Sequence, residues 1–242
     1  MSESSIIKDF KKLIGADNVL DSEADRLSYA YDSAVLPQRE PAVVLTPDNT
    51  EQIGQICAFC NKNSIPMTVR GSGTNLSGGT IPDSEKSVVI VTQKLNKILE
   101  INSGDLYAVV EPGVVTARFA AEVASKGLFY PPDPGSQAVS TIGGNIAENA
   151  GGLRGLKYGV TKDYAMGLEF YDAEGGLVKT GSRTVKCATG FNLAGLMTGS
   201  EGAFGIISKA ILKLVPPPRA SKAMTAAFSD VRRAADTVAE II

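Results

Sequence analysis

The sequence predicts a domain that mixes helices with strands. Three observations carry this: residues 42–70 read as strand, helix and strand, residues 168–180 read as a hairpin, and a long strand spans Ile206–Val215. The 242 residues suffice for one large domain or two small ones. A chain of this length buries about 70–75% of the surface that its unfolded form exposes.

At the N-terminal end, Ile6, Ile7, Phe10, Leu13 and Ile14 share one face of a short helix over 6–14. A second helix is expected over 21–31, with Asp21 and Ser22 as candidate caps. Pro37 and Pro41 punctuate the chain before the short strand Ala42–Leu45. Asp48 with Glu51 three residues on marks a capped helix start, and that helix runs to about Asn63. The strand Ile65–Arg70 then delivers the chain into a loop with glycines at 71, 73, 78 and 79. Val88–Thr92 and Tyr107–Glu111 are further strands, the first a β-branched run of the buried kind. Thr116–Lys126 is a helix with Phe119, Ala120, Val123 and Ala124 inward, stopped by Gly127.

Residues 130–160 carry almost no periodicity, and so long an irregular stretch inside a compact domain is usually functional. Leu168–Asp172 and Leu177–Thr180 pair around Glu174-Gly175-Gly176, and a short helix covers Asn192–Met197. Pro216-Pro217-Pro218 is a stiff linker. The chain therefore divides into a helical segment 1–37, a main domain 38–218 and a tail 219–242. In the tail, Ala223–Phe228 reads as a strand. Ser229 or Asp230 then caps a helix whose apolar face is Val231, Ala234, Ala235, Val238, Ile241 and Ile242. This is either the opening of a further domain, cut at Ile242, or a terminal helix that docks back on the first.

Composition excludes several chemistries. Lys and Arg number 24 against 26 Asp and Glu, a net charge of −2 that gives no electrostatic footprint for nucleic acid. There is no histidine, hence no Ser-His-Asp triad, no imidazole metal ligand and no histidyl attachment of a cofactor. Three cysteines make no disulfide framework. Cys57 and Cys60 continue the apolar helical spacing of Ile53 and Ile56, so this C-x-x-C is expected in the core rather than as a redox pair, and Cys187 is read as a small core residue too. The N-terminus lacks the pattern of a signal peptide, and no run has the ~20 apolar residues of a membrane span. The expected location is the cytoplasm, with no metal and no membrane span.

Three glycine clusters remain to be explained. Loop 70–79 can turn backbone N–H groups inward as an anion nest, with Ser72, Thr74, Asn75 and Ser77 as neutral donors. It matches neither the dinucleotide fingerprint, whose third glycine is here Leu76, nor a P-loop. Residues 141–152 place two Gly-Gly pairs among small and amide side chains, and residues 199–205 set Glu201 among glycines, where a carboxylate caps backbone N–H groups or accepts from a ribose. Each loop alone is equally well read as a structural turn. Together they argue for a large ligand held mostly by backbone.

The stretch Pro66–Gly79 resembles the pyrophosphate loop of the FAD-linked oxidases, the vanillyl-alcohol-oxidase/p-cresol-methylhydroxylase (PCMH) superfamily. Pro131–Pro134, Thr141–Gly152, Tyr158-Gly159 and Thr198–Ile207 match that family in order. Within it, the D-lactate dehydrogenases and the FAD subunit of glycolate oxidase are most similar in look. The resemblance covers about Gln38 to Pro218.

The resemblance implies an α+β, two-subdomain PCMH-type FAD-binding domain with FAD between the subdomains. Arg70, Gly71, Ser72, Gly73, Thr74, Asn75, Gly78 and Gly79 would hold the pyrophosphate. Pro132, Asp133, Ser136, Thr141, Gly144, Asn145, Asn149 and Gly151 would line the flavin and ribityl chain, and Glu201, Gly205, Ile206 and Ile207 would contact the adenosine end. Where some relatives attach the flavin through histidine, this chain has Thr74 and Asn75, so FAD is expected to be noncovalent.

The implied activity is that of a flavin-dependent D-2-hydroxyacid dehydrogenase or oxidase, its substrate site completed by a C-terminal cap domain. No catalytic residue is assigned in this chain, which alone is expected to be inactive. Lys186 and Arg154 are read as scaffold. A non-catalytic flavin-binding or electron-transfer subunit acting with a partner chain, and a module for another nucleotide such as a UDP-linked sugar, are the alternatives.

Overall fold

The computed structural model describes residues 3–241. Helix α1 (Glu3–Ile14) is followed by a short 3-10 turn, strand β1 (Val19–Leu20) and helix α2 (Glu23–Ser28), then β2 (Val43–Leu45), α3 (Thr50–Lys62), β3 (Met67–Arg70) and β4 (Val88–Val91). These strands form one sheet in the order β1-β2-β4-β3, with β2, β4 and β3 parallel and β1 antiparallel at the edge. Strand β4 is paired on both edges, by β2 and β3, and side chains pack on both of its faces. That explains its unbroken run of buried valines and isoleucine. On one face, Phe10 and Ile14 of α1 and Ile53, Ile56, Cys57 and Cys60 of α3 pack on Val43, Leu45, Val88 and Ile90. On the other, Val44, Val89 and Val91 meet Leu20 and Tyr29.

The second sheet is antiparallel, in the order β5 (Ile98–Asn102), β6 (Tyr107–Val110), β9 (Ile206–Lys213), β7 (Ala165–Tyr171), β8 (Leu177–Gly181). Between these strands in sequence come α4 (Thr116–Ser125), α5 (Ile142–Ala147), α6 (Gly155–Tyr158) and α7 (Leu193–Met197). Phe119 and Val123 of α4, Ile142 and Ile146 of α5, and Met197 of α7 share a core with Ala108, Val110, Leu168, Ala210 and Leu212. The two units meet where Tyr171 and Ile206 join the core of the first sheet. A Cβ on Gly54 would stand 2.6 Å from the Tyr171 ring, so α3 packs directly on β7.

Several expectations are corrected. Helix α2 is confined to 23–28, and Ser22 caps it by accepting from the Asp25 N–H. The cap of α3 is Asn49, not Asp48: its side chain accepts from the Gln52 N–H, and Gln52 reaches back to the Asp48 N–H at 2.9 Å. Strands β1 and β5 were not legible, the first having two residues and the second an edge position with a bulge at Ile98/Glu100. The stretch 130–160 contains α5 and α6, short helices whose glycines mask their period. Ala124 and Cys187 are exposed rather than inward. Residues 223–228 form no strand, for no sheet edge pairs with them.

The last helix, α8 (Val231–Ile241), buries none of its residues and does not dock back on the first domain. Val231, Val238 and Ile241 are exposed, while Ile242 lies outside the described residues.

Candidate functional site

All three glycine clusters open on one cleft between the sheets. Loop 71–79 leaves the C-terminal end of parallel strand β3, the end at which open parallel sheets present ligand sites. Gly73 and Gly78 have φ of 71° and 81°, left-handed conformations that favour glycine. A Cβ on Gly71 would fall onto the Thr141 hydroxyl. Thr141 is 2% exposed and caps α5 by accepting from the Gly144 N–H, so the first two clusters are in van der Waals contact at a fixed point. The third cluster is tied to the second through backbone, the Gly199 N–H donating to Ile146 and the Glu201 N–H to Ala147, each at 2.9 Å.

Of the residues expected at the cofactor, Gly71, Ser72, Gly73, Thr74, Asn75, Gly79, Ser136, Thr141, Gly144, Asn145, Glu201, Gly205 and Ile207 line this cleft. The others stand behind it. Arg70 is 7% exposed and turns beneath the loop, donating to the Tyr31 carbonyl and the Thr80 hydroxyl and stacking over Tyr29 at 5.5 Å. Gly78 approaches Leu36. Asp133 pairs with Arg154 at 3.4 Å and accepts from its N–H, and the chain at Gly152 presses on the Asp133 carbonyl. Asn149 accepts from the Lys162 N–H at 3.0 Å. Pro132 and Ile206 are buried, the latter in the first sheet's core, and Gly151 lies near Val160.

Among the lining residues missed by sequence reasoning, Gly143, Glu148, Ser200 and Gly202 lie inside the glycine clusters, so membership of a cluster was the available signal. Thr92 and Pro112 follow β4 and β6 and reach the cleft only through the topology.

The cleft fits a ligand held by backbone. A Cβ at Gly71 would collide with Thr141 across the wall, and the lining offers hydroxyls and amides in place of cations. Among the described lining residues no lysine or arginine occurs, and the charged side chains are Glu148 and Glu201. Ser77 donates to the Glu148 carboxylate at 3.2 Å. Burial and the neighbouring charge of Glu201 raise the Glu148 carboxyl above the ordinary value. An FAD pyrophosphate, a diester bearing two charges, suits neutral donors and close backbone approach.

Residues 41–181 match the model of the FAD binding domain. The chain belongs to that family. This FAD binding domain is 48% identical over 241 residues to the glycolate oxidase subunit GlcD of Bacillus subtilis, covering 98% of the chain and 51% of that protein. It is 37% identical over 202 residues to the D-lactate dehydrogenase of Archaeoglobus fulgidus, covering 84% and 45%. The chain thus spans about half the length of these relatives.

In fold it matches p-cresol methylhydroxylase with bound substrate at a TM-score of 0.76 and 24% identity, over 90% of this chain and 44% of that one. It matches alkyldihydroxyacetonephosphate synthase at 0.81 and 22% identity, over 91% and 42%. The α+β, two-subdomain PCMH-type architecture is therefore the fold of this domain. No described helix is long and apolar enough to cross a membrane.

Proposed function

We propose that this domain is the cofactor-holding half of a flavin-dependent dehydrogenase or oxidase of small 2-hydroxyacids, binding FAD without a covalent bond. The convergence of residues 71–79, 141–144 and 201–205 on one cleft carries the reading. Bound FAD supplies a hydride acceptor for the substrate α-carbon.

The domain's own residues bind and orient. Gly71, Ser72, Gly73, Thr74, Asn75 and Gly79 hold the pyrophosphate through N–H and hydroxyl donors. Ser136, Thr141, Gly144 and Asn145 face the flavin and ribityl end, and Glu201, Gly205 and Ile207 the adenosine end. Gly71 and Gly143 keep the walls close: a Cβ at the latter would stand 2.6 Å from Pro112. Arg70, Asp133 and Asn149 act one layer back. Noncovalent attachment is supported by the absence of histidine from the 242 residues.

The choice of hydroxyacid is supported by relatives named glycolate oxidase, D-lactate dehydrogenase and, at 33% identity, the D-2-hydroxyglutarate dehydrogenase of Stutzerimonas stutzeri. The base and the carboxylate-binding cation of such a reaction belong to a cap domain in this reading, with 38–218 holding cofactor and 219–242 beginning the next unit. The exposed apolar residues of α8 support that division. An electron acceptor or partner subunit completes the cycle, and a cytoplasmic site accords with cysteines that are free thiols.

The test is reconstitution. The chain is incubated with FAD, gel-filtered and then denatured. Flavin absorbance should travel with the folded chain and separate from the denatured one. A colourless folded chain would overturn the reading, and flavin retained after denaturation would overturn noncovalent attachment.

A further inference from the structure

The cleft presents a charge problem. The ligand proposed for it is anionic, yet the charged side chains on its described lining are two carboxylates, Glu148 from the end of α5 and Glu201 from the turn before β9. Both crowd the loop expected to receive the pyrophosphate. A Cβ on Gly79 would stand 2.7 Å from Glu201 Oε2 and 3.5 Å from Glu148 Oε1, and Ser77 donates to both oxygens of Glu148. A third carboxylate, Asp32, faces Glu148 from the segment after α2 and accepts from Asn75 on the same loop at 2.6 Å. Among the described residues no lysine or arginine forms an ion pair with Glu148 to offset these charges.

The three carboxylates differ in their means of relief. Glu201 is exposed to water, and Asp32 is held as an acceptor by Asn75 and by the Ala34 N–H at 2.7 Å. Glu148 is half-buried, and its hydrogen bond comes from a hydroxyl that can equally accept. From these contacts, and resting on the FAD reading above, we infer that Glu148 takes up a proton when the pyrophosphate seats, turning from an anion facing an anion into a neutral donor that positions loop 77–79. The proton comes from solvent and is returned on release. Burial and the charge of Glu201 already push this carboxyl in the required direction.

The experiment titrates the chain with FAD calorimetrically across the mildly acidic to mildly alkaline range, in buffers of different ionisation enthalpy, for wild type, Glu148→Gln and Glu201→Gln. Wild type is expected to take up protons on binding and to lose affinity as pH rises, by up to about tenfold per unit for one linked proton. Glu148→Gln is expected to bind with no proton uptake and a flat profile, tighter than wild type at the alkaline end. Glu201→Gln should keep a sloped profile. FAD binding that is pH-independent in wild type would overturn the inference and leave the FAD reading intact. A slope that survives in Glu148→Gln but vanishes in Glu201→Gln would overturn it as well. No binding at any pH would overturn both.

Discussion

Asn75, in the middle of the glycine loop, donates its side-chain amide to the buried carboxylate of Asp32 at 2.6 Å. The same segment reaches the loop three more times, through the Tyr31 carbonyl on Arg70, the Ser33 hydroxyl on the Gly73 carbonyl at 3.3 Å, and Leu36 beside Gly78. A loop with four glycines in ten residues has high entropy in solution, and these contacts hold it in one shape. The segment after α2 is thus a strap across the cofactor loop.

Removing the strap's anchor tests this. Asp32→Ala removes the acceptor of the half-buried Ala34 N–H and leaves the Asn75 amide with the Ser77 hydroxyl alone, at a cost of about 1–2 kcal/mol. Urea unfolding should show that loss, and FAD should dissociate faster from the variant. An unchanged dissociation rate would mean that the strap does not shape the loop.

The contact of Gly71 with Thr141 gives a sharper variant than Gly79. A side chain at 79 meets the mobile end of Glu201, whereas one at 71 meets a buried cap. Gly71→Val should abolish flavin retention, and Ser77→Ala, which removes an exposed hydroxyl that donates to Glu148 and accepts from Asn75 and the Gly79 N–H, should weaken it by about tenfold. Full flavin occupancy in Gly71→Val would contradict the placement of the pyrophosphate.

Much of this arrangement was legible in the residues. The glycine clusters, the apolar faces of α1 and α3, Phe119 and Val123 of α4, and the β7–β8 hairpin follow from spacing alone, because burial imposes its period on the sequence. What stayed hidden was long-range. Nothing in Arg70 reveals that its guanidinium turns to Tyr31, because that depends on a segment 39 residues away. Nothing in Thr92 or Pro112 marks a cleft wall. The Ala223–Phe228 run has a strand's look, but a strand exists only where a sheet edge receives it.

The second core is held by a layer of aromatic edges. Phe119 meets Tyr130 at 4.9 Å between ring centres and 65° between planes. Phe119 is fully buried, so Phe119→Ala should cost about 3–5 kcal/mol, read as a lowered denaturant midpoint. A midpoint within error of wild type would contradict the packing of α4 on the second sheet.

The cysteines report burial directly. Burial pushes the Cys57 thiol up to about 11 and the Cys60 thiol up to about 12, while Cys187 is exposed. At mildly alkaline pH an aromatic disulfide reagent should titrate Cys187 at once and the other two only on unfolding. Both buried thiols hold their protons more tightly folded than unfolded. Their contribution to stability is therefore complete below the ordinary thiol value of about 9 and is lost as pH rises toward 11–12. The denaturant midpoint should fall over that window, and less so in a Cys57→Ala/Cys60→Ala variant.

Hydrogen exchange measured with and without FAD tests the central claim most directly, since it reads the backbone groups said to hold the cofactor. The account predicts that FAD slows exchange at residues 71–79, 141–148 and 200–205 together, with little change in the outer strand β8 or in α8. Protection confined to other segments, or FAD binding that leaves these three unprotected, would contradict it.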